Sequence, residues 1–245
     1  KKRLFILTDA LRDAHPDAEC KVCVDTAPLL EREHAARAGL GAVGKHTLLI
    51  QPGLGSYLLL GAVVTTLDLE PTPAETRDVC ASCTRCIDAC PTDAITPWSV
   101  DATRCISYLT IEHRDDIEPD LGAAFSGWVF GCDICQEVCP HNQPTRRSRR
   151  LPVHDAYDAE RDAFDLLEVL GWTEDDRRVA FQRSAMKRAK LPMMQRNAIH
   201  ALGPVLATHA EARRRIEALA ADPDTDELVR TAARRVLDQP MISPE

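Results

Sequence analysis

The amino-acid sequence predicts an α+β protein in three consecutive parts: an α/β region over 1–75, a cysteine-rich region over 76–143 and a helical region over 144–245. Three observations predict this order. Short apolar runs alternate with glycine-rich turns from Val22 to about Asp68, eight of the ten cysteines fall between Cys80 and Cys139, and helix-forming residues dominate after Leu151. With 245 residues, of which 44% are hydrophobic and 28% charged, the chain has an ordinary globular composition and enough length to bury a core.

The first part is predicted to be a small α/β region. Its expected elements are an opening helix with Leu4, Leu7 and Leu11 on one face, a strand at 22–28, a helix at 29–38 ended by Gly39, and strands at 47–50 and 57–66. The glycines of segments 40–46 and 52–56 lie between strands and are therefore predicted to form turns. Their spacing does not fit a Walker loop, so a nucleotide-binding site is not favoured.

The cysteines of the second part follow a recognisable spacing. The first run is C-x2-C-x2-C-x3-C followed by Pro91, and the second, C-x2-C-x3-C followed by Pro140, lacks a first cysteine that Cys105 can supply. In bacterial ferredoxins the fourth cysteine of such a run binds the other cluster. The sequence therefore predicts two 4Fe–4S clusters, the first bound by Cys80, Cys83, Cys86 and Cys139 and the second by Cys90, Cys105, Cys132 and Cys135.

Structural zinc is the alternative for these cysteines. Zinc sites use independent sets of four ligands, which does not explain the additional cysteine and the proline that end both runs. Cys20 and Cys23 also form a C-x2-C pair, but no second pair accompanies them, so we assign them no ligand role. Clustered cysteines of this kind usually bind metal in a reducing compartment.

The chain is expected to be a cytoplasmic protein with no membrane segment. Its first apolar run, Leu4–Leu7, is too short for a secretory signal. Its longest apolar stretches are far shorter than the roughly 20 residues that a membrane-spanning helix needs.

The third part is predicted to contain helices near Leu166–Trp172, Asn197–Ala207, Ala210–Ala221 and Leu228–Leu237, separated by Pro204 and the turn at 222–226. Paired helices divided by such a turn resemble a short HEAT-type array. The segments 70–76 and 144–152 are predicted linkers on either side of the cysteine region.

A basic segment stands out in this acidic protein. The whole chain has a net charge of −8, yet seven Lys or Arg and no Asp or Glu occur between Arg177 and His200. At helical spacing, residues 183, 187 and 190 are predicted to share a face. The charge leaves two interpretations open, a solvated helix face or a surface that contacts nucleic-acid phosphates together with the basic segment 146–150.

Four segments together resemble the epoxyqueuosine reductase family. They are VDTAPLLEREHAARAGLGAVGKHTLLI at 24–50, VDATRCISYLTIE at 100–112, FGCDICQEVCPHN at 130–142 and SAMKRAKLPMMQRNAIHALG at 184–203. That family is similar to the corrinoid reductive dehalogenases in having cobalamin beside two 4Fe–4S clusters, and it performs the last step of queuosine synthesis on tRNA. The resemblance implies reduction of epoxyqueuosine to queuosine in the anticodon loop of tRNA.

The resemblance also implies an architecture and partners. Region 1–75 is expected to be part of a cobalamin-binding domain that lacks an N-terminal segment, and region 144–245 a HEAT-like tRNA-binding domain. The expected partners are tRNA and an electron donor such as flavodoxin or ferredoxin, and we expect a monomer. Two alternatives stay open: a corrinoid reductive dehalogenase, and a ferredoxin-like electron-transfer module, which would leave region 1–75 without a role.

The resemblance further implies roles for single residues. Asp25 matches the acidic residue taken as the proton donor, and burial in an apolar strand is expected to raise its pKa; the alternative is that it only caps the turn before Pro28. The implied cobalamin contacts are Asp25, Lys45, His46, Asp133, Gln136, His141 and Asn142, with His141 standing where the family commonly has Trp. The implied tRNA contacts are Arg183, Lys187, Arg188 and Arg196.

Overall fold

A computed structural model describes residues 1–25, 27–72, 78–143, 163–182 and 184–239. Its strands are β1 (Cys20–Cys23), β2 (Ala42–Val43), β3 (Leu49–Ile50), β4 (Ala62–Thr65), β5 (Ile95–Thr96) and β6 (Ser99–Val100). Its α-helices are α1 (Lys2–Ala14), α2 (Glu31–Arg37), α3 (Arg85–Asp88), α4 (Ile106–Ile111), α5 (Pro119–Ala123), α6 (Ile134–Glu137), α7 (Leu166–Leu170), α8 (Glu174–Ala180), α9 (Leu191–Leu202), α10 (Ala210–Ala221) and α11 (Glu227–Asp238). Short 3₁₀ turns cover Pro140–Asn142, Ala185–Arg188 and Gly203–Val205.

The chain divides into two compact units that interleave along the sequence. Unit 1 takes the described residues of Lys1–Ala89, Ile95–Ser99 and Cys135–Pro152, and unit 2 those of Cys90–Ala94, Val100–Ile134 and Val153–Glu245. The cysteine-rich segment is therefore shared by both units. The division into three consecutive domains, which follows the composition, stays a prediction.

Unit 1 is built on small antiparallel sheets. Strands β1 and β4 pair in the register Cys20↔Thr65 to Cys23↔Ala62, and α1 packs on this pair. The packing is close at Gly61, where a Cβ atom would lie 2.5 Å from Leu4 Cδ1. Strands β2 and β3 form a second antiparallel pair against which α2 packs, and they enclose the turn at 44–48.

Unit 2 is centred on α9. This helix packs against α4, α5, α7 and α11, and α10 completes the bundle against α7 and α11. Its side chains Met193, Met194, Ala198 and Ile199 are buried in one apolar cluster with residues of the surrounding helices. Phe164, Trp172 and Phe181 add edge-to-face ring contacts at one end of this core, the arrangement that aromatic quadrupoles favour.

The mixture of helix and strand is confirmed, whereas several boundaries differ from the predictions. The strand predicted at 22–28 ends at Cys23, and the one predicted at 57–66 is limited to Ala62–Thr65. The helix predicted at 197–207 begins at Leu191, because Pro192 lies in its first turn, where a missing N–H costs nothing, and ends at Leu202 before Gly203 and Pro204. Helix α8 was not predicted, and most of both predicted linkers lies outside the described residues.

Candidate functional site

Four cysteines of unit 1 surround one cavity. This cavity of about 160 Å³ is lined by Cys80, Cys83, Cys86 and Cys139, together with His46, Val79, Arg85, Pro140 and His141. Three of the cysteines come from the first run and the fourth from the second. The structure thus brings together the four residues that the spacing assigned to one cluster.

The loop that bears Cys80 and Cys83 is fixed by its own backbone. The Oδ1 atom of Asp78 accepts hydrogen bonds from the backbone N–H groups of Cys80 (2.9 Å) and Ala81 (3.1 Å), which forms an Asx turn at the start of the loop. Ala81 has a φ of +44°, and the N–H of Cys83 closes the turn on the carbonyl of Cys80 at 2.9 Å. The tight wrap directs both thiols to the same cavity.

Lys45 fastens this loop to the turn after β2. Its backbone N–H lies 3.4 Å from Cys80 Sγ, and its ammonium donates to the carbonyls of Ala81 (2.6 Å) and Cys83 (3.0 Å). The residue is only 7% exposed, and its Nζ lies 5.6 Å from the ring centroid of Trp98, a cation–π distance. A buried cation whose partners are carbonyls leaves positive charge beside the thiols.

The electrostatics of the cavity reflect how near the thiols are to each other. Burial raises the pKa of Cys86, and the neighbouring Cys80, Cys139 and Cys83 raise it further. Burial likewise raises the pKa of Cys139, with Cys80 and Cys83 adding to the effect. Both thiols therefore hold their protons in the metal-free protein, and iron must displace these protons on binding.

Three cysteines of the second predicted set, Cys90, Cys105 and Cys132, lie in unit 2, and the fourth, Cys135, belongs to unit 1. Burial raises the pKa of Cys132, the backbone N–H of Ile134 lowers it, and Cys105, Asp133 and Cys90 raise it further, so these groups are close together. The N–H of Ala94 lies 3.3 Å from Cys90 Sγ, and Cys105 is the N-cap residue of α4. Cys135, the fourth predicted ligand, lies in α6, three residues after Cys132.

Arg196 and Asn197 of α9 hold the two segments that lead to these cysteines. The guanidinium of Arg196 donates to the carbonyls of Leu109, His113 and Asp115 and to Asn197 Oδ1. Asn197 Nδ2 in turn donates to the carbonyls of Thr110 and Val129, both at 2.9 Å. The pair thus fixes the end of α4, which begins at Cys105, and the stretch before Cys132.

The prediction that Arg196 contacts tRNA is therefore wrong. Arg196 is 0% exposed, and every nitrogen of its guanidinium donates within unit 2, so no donor is left for a phosphate. Burial lowers the pKa of Arg196 to about 10, which still leaves it charged at neutral pH. The shared helical face is also wrong, because Lys187 lies in a 3₁₀ turn and Lys190 is the non-helical N-cap of α9.

The other predicted tRNA contacts differ in whether the structure describes them and in which partners they have. Arg183 lies outside the described residues, as do the arginines at 146–150. Lys187 and Lys190 are exposed, and so is Arg188, whose Nε lies 2.8 Å from Glu112 Oε1. An exposed ion pair of this kind is worth little and can be exchanged for a phosphate contact.

Several of the predicted cobalamin contacts form hydrogen bonds with other residues of unit 1. Asn142 Oδ1 accepts from the N–H of Ser56 (2.7 Å), its Nδ2 donates to Ser56 Oγ (2.9 Å), and Ser56 Oγ donates to Gln136 Oε1 (2.9 Å). Gly55 is required beside this network, since its φ is +91° and a Cβ atom there would lie 2.1 Å from Asn142 Oδ1. The Nε2 atom of His141 donates to the carbonyl of Val79 at 3.0 Å.

Asp25 lies in a turn and not in the strand where it was predicted. Strand β1 ends at Cys23, and Asp25 is exposed with a φ of +49°, a left-handed conformation that Asp tolerates better than most residues. The expectation that an apolar strand desolvates this carboxyl is therefore wrong. Asp133 is half-buried beside Cys132 in unit 2.

The residues present fit iron–sulfur clusters better than single ions. Four thiols converge on one cavity, and a backbone N–H lies near a thiol sulfur. Within the described ranges, no three His, Cys, Asp or Glu side chains are arranged to hold one metal ion. Three of the predicted cobalamin contacts, Lys45, Gln136 and Asn142, form hydrogen bonds within unit 1.

Sequence reasoning missed three residues of these sites: Asp78, Ser56 and Asn197. Two of them, Asp78 and Asn197, could have been found from the sequence pattern. An aspartate two residues before a loop cysteine is the usual start of an Asx turn, and an asparagine among Met193, Met194 and Ile199 predicts a satisfied buried amide. Ser56 carried no such signal, because its partners lie about 80 residues away.

Comparison with known proteins gives a consistent result. Residues 79–142 match the 4Fe-4S double cluster binding domain. The chain is 41% identical to an epoxyqueuosine reductase of a Synechocystis species, covering 80% of this chain and 68% of the relative. It is 38% identical to that of Cyclobacterium marinum, covering 80% of this chain and 62% of the relative.

A solved structure agrees with these relatives. The crystal structure of an epoxyqueuosine reductase with an epoxyqueuosine-modified tRNA-Tyr stem loop superposes with a TM-score of 0.83 at 31% identity, covering 96% of this chain and 61% of that one. The chain therefore spans roughly three fifths of the length of the proteins it matches. No helix in the described part of the chain is both long and apolar enough to cross a membrane.

Proposed function

Because the chain belongs to the epoxyqueuosine reductase family, we propose that it takes part in the reduction of epoxyqueuosine to queuosine in the anticodon loop of tRNA. The observation that carries this proposal is the grouping of Cys139 with Cys80, Cys83 and Cys86 around one cavity. An exchange of the last cysteine between two runs is the arrangement of a two-cluster electron relay. An isolated single-metal site would not need it.

The proposed ligands of the two clusters are those that the spacing predicts. Cys80, Cys83, Cys86 and Cys139 hold the first, and Cys90, Cys105, Cys132 and Cys135 hold the second. When bound, the clusters supply one-electron transfer at low potential. The chain's own part is to fix the thiols, through Asp78 and Lys45 in unit 1 and through Arg196 and Asn197 in unit 2.

Cobalamin is proposed from family membership alone. When bound, it supplies the reducing centre that acts on the epoxide. The electron donor, flavodoxin or ferredoxin, the monomeric state and the cytoplasmic location belong to the same proposal. So does the assignment of α7–α11 as a HEAT-like region that binds tRNA, for which the exposed Lys187, Arg188 and Lys190 supply positive charge.

Asp25 is the proposed proton donor. Converting an epoxide to an alkene takes up two electrons and two protons and releases the oxygen as water, so the departing oxygen must be protonated. Asp25 is exposed and lies in a turn, where its carboxyl is accessible to a bound substrate.

The experiment compares Asp25→Asn with Asp13→Asn, an exposed aspartate of α1 that serves as the matched control. Anaerobically reconstituted protein is supplied with cobalamin, a chemical reductant and an epoxyqueuosine-modified stem loop, and queuosine is quantified by mass spectrometry. Asp25→Asn is expected to lose about 100- to 10,000-fold in rate with iron and cobalamin content unchanged, and Asp13→Asn to retain activity.

The outcomes separate the parts of the proposal. Wild-type turnover by Asp25→Asn would exclude Asp25 as the proton donor. Wild-type protein that binds both clusters but neither cobalamin nor the stem loop would favour an electron-transfer module and contradict the proposed function.

A further inference from the structure

His46 is a buried imidazole in the cavity of the four cysteines. It is 3% exposed and lines the cavity together with Cys80, Cys83, Cys86 and Cys139. Gly44 makes room for its ring, since a Cβ atom there would lie 3.2 Å from His46 Cε1 and 2.5 Å from Ile50 Cδ1. The position of the ring is therefore set by the turn that also carries Lys45.

The backbone determines which ring nitrogen carries the proton. The N–H of Leu48 donates to His46 Nδ1 at 3.2 Å, so Nδ1 acts as an acceptor. A neutral imidazole that accepts at Nδ1 carries its proton on Nε2.

This Nε2–H group has no hydrogen-bond partner in the described part of the protein. A buried donor without a partner costs about 1–3 kcal/mol, so such groups are rare in folded proteins unless a ligand supplies the acceptor. The second imidazole of the cavity differs, because the Nε2 of His141 already donates to the carbonyl of Val79. The cavity thus offers the buried Nε2–H of His46 next to four thiols.

We propose that His46 Nε2–H donates a hydrogen bond to a sulfur atom of the cluster held by Cys80, Cys83, Cys86 and Cys139, and thereby raises the reduction potential of that cluster. The inference rests on the cluster assignment of the proposed function and gives His46 a role there, whereas the sequence resemblance placed it against the corrinoid. Hydrogen bonds to cluster sulfurs stabilise the reduced form, which has the greater negative charge. His46 therefore tunes one of the two clusters.

The test is a potentiometric titration of the reconstituted holoprotein followed by electron paramagnetic resonance. His46→Leu removes the donor, and His46→Gln keeps an N–H near the same place. We expect His46→Leu to shift the reduction equilibrium of one cluster about tenfold toward the oxidised form, about 59 mV for one electron. The other cluster, whose ligands lie largely in unit 2, is the internal control, and His46→Gln is expected to recover part of the shift.

A second measurement does not depend on the variants folding. Wild-type protein labelled with ¹⁵N-histidine is expected to show a nitrogen hyperfine coupling to one reduced cluster, and deuteration should shift iron–sulfur vibrations of that cluster. In protein that retains its iron, the histidine coupling should disappear in both variants, whereas the vibrational shift on deuteration should become smaller in His46→Leu and be kept in part in His46→Gln.

Three results would overturn the inference. They are unchanged potentials in both variants, equal shifts of both clusters, and wild-type protein with no histidine coupling at either cluster. Failure of the wild type to bind two clusters would be a different result, because it would contradict the proposed function before His46 is tested.

Discussion

Replacing Arg196 by Met should destabilise unit 2 while leaving unchanged the exposed basic residues that are proposed to bind tRNA. The Met side chain keeps the apolar stem of Arg196 but removes five hydrogen bonds to three backbone carbonyls and Asn197 Oδ1. Each buried acceptor left unpaired costs about 1–3 kcal/mol, and the relieved desolvation of the guanidinium offsets part of the sum. We expect a loss of about 3 kcal/mol in the free energy of unfolding.

This loss is large compared with the roughly 5–15 kcal/mol that stabilise a folded domain. Urea unfolding of iron-matched protein, followed by the fluorescence of Trp128 and Trp172, should show a midpoint about 1–3 M lower than wild type. The exposed Lys187, changed to Met, is the matched control and should stay within about 0.5 kcal/mol of wild type. Arg196→Lys, which keeps three donors, should fall between them.

The same pair of variants should behave in the opposite way toward tRNA. Lys187→Met is expected to weaken binding and reduce its salt dependence, whereas Arg196→Met should not change the salt slope. A wild-type urea midpoint for Arg196→Met combined with a reduced salt slope would mean that Arg196 reaches phosphate. The burial argument would then be refuted.

Four further outcomes are expected. Reconstituted protein should contain about eight iron atoms per chain, and four or fewer would exclude two 4Fe–4S clusters. Cys105→Ala should lose one cluster by spin counting and keep the other, because Cys105 groups with Cys90 and Cys132 and does not line the cavity of unit 1; loss of both would indicate failed folding. Changing Lys187 and Arg188 to Ala should lower the slope of log affinity against log salt by roughly 0.7–0.9 for each tRNA phosphate that is no longer neutralised, and an unchanged slope would show a merely solvated surface. Burial raises the pKa of Asp116, but His200, whose Nε2 lies 3.7 Å from Oδ1, and Arg235, whose Nε lies 3.0 Å from Oδ2, outweigh it and lower the pKa below its usual value; the stability that Asp116 contributes at higher pH should be lost as the pH falls through this lowered pKa, and Asp116→Asn should remove this part of the acid dependence.

The cysteine groups were predictable because they depend on local spacing. In the C-x2-C-x2-C-x3-C-P motif the loop wraps around a cluster, so its first three cysteines are expected to converge. The assignment of the fourth cysteine of each run to the other cluster also follows from the motif. What the motif does not contain is the packing around it: Lys45 reaches Ala81 and Cys83 across more than 30 residues, and no local pattern encodes that contact.

The prediction that Arg196 contacts tRNA is wrong because it rests on charge. A count of charges treats each Lys or Arg as exposed, although a long side chain can be buried when backbone carbonyls satisfy all of its donors. Helical spacing contained the correction, since Met193, Arg196, Asn197 and His200 recur at three- and four-residue intervals on the buried face of α9. For Arg196, the position on the helix predicts burial better than the charge predicts exposure.

The two buried cations, Lys45 in unit 1 and Arg196 in unit 2, have the same kind of hydrogen-bond partner. Each is satisfied by backbone carbonyls and not by a carboxylate: Ala81 and Cys83 for Lys45, and Leu109, His113 and Asp115 for Arg196. A carboxylate partner would have neutralised the charge, whereas carbonyls satisfy the donors and leave the net positive charge in place. At Lys45, whose backbone N–H lies 3.4 Å from Cys80 Sγ, that charge favours binding of thiolates, because like-charged ligands in a low-dielectric site repel one another. The contacts of Lys45 hold the loop that carries Cys80 and Cys83, and those of Arg196 hold the end of the helix that begins after Cys105, so one buried cation in each unit fixes a segment that leads to predicted cluster ligands.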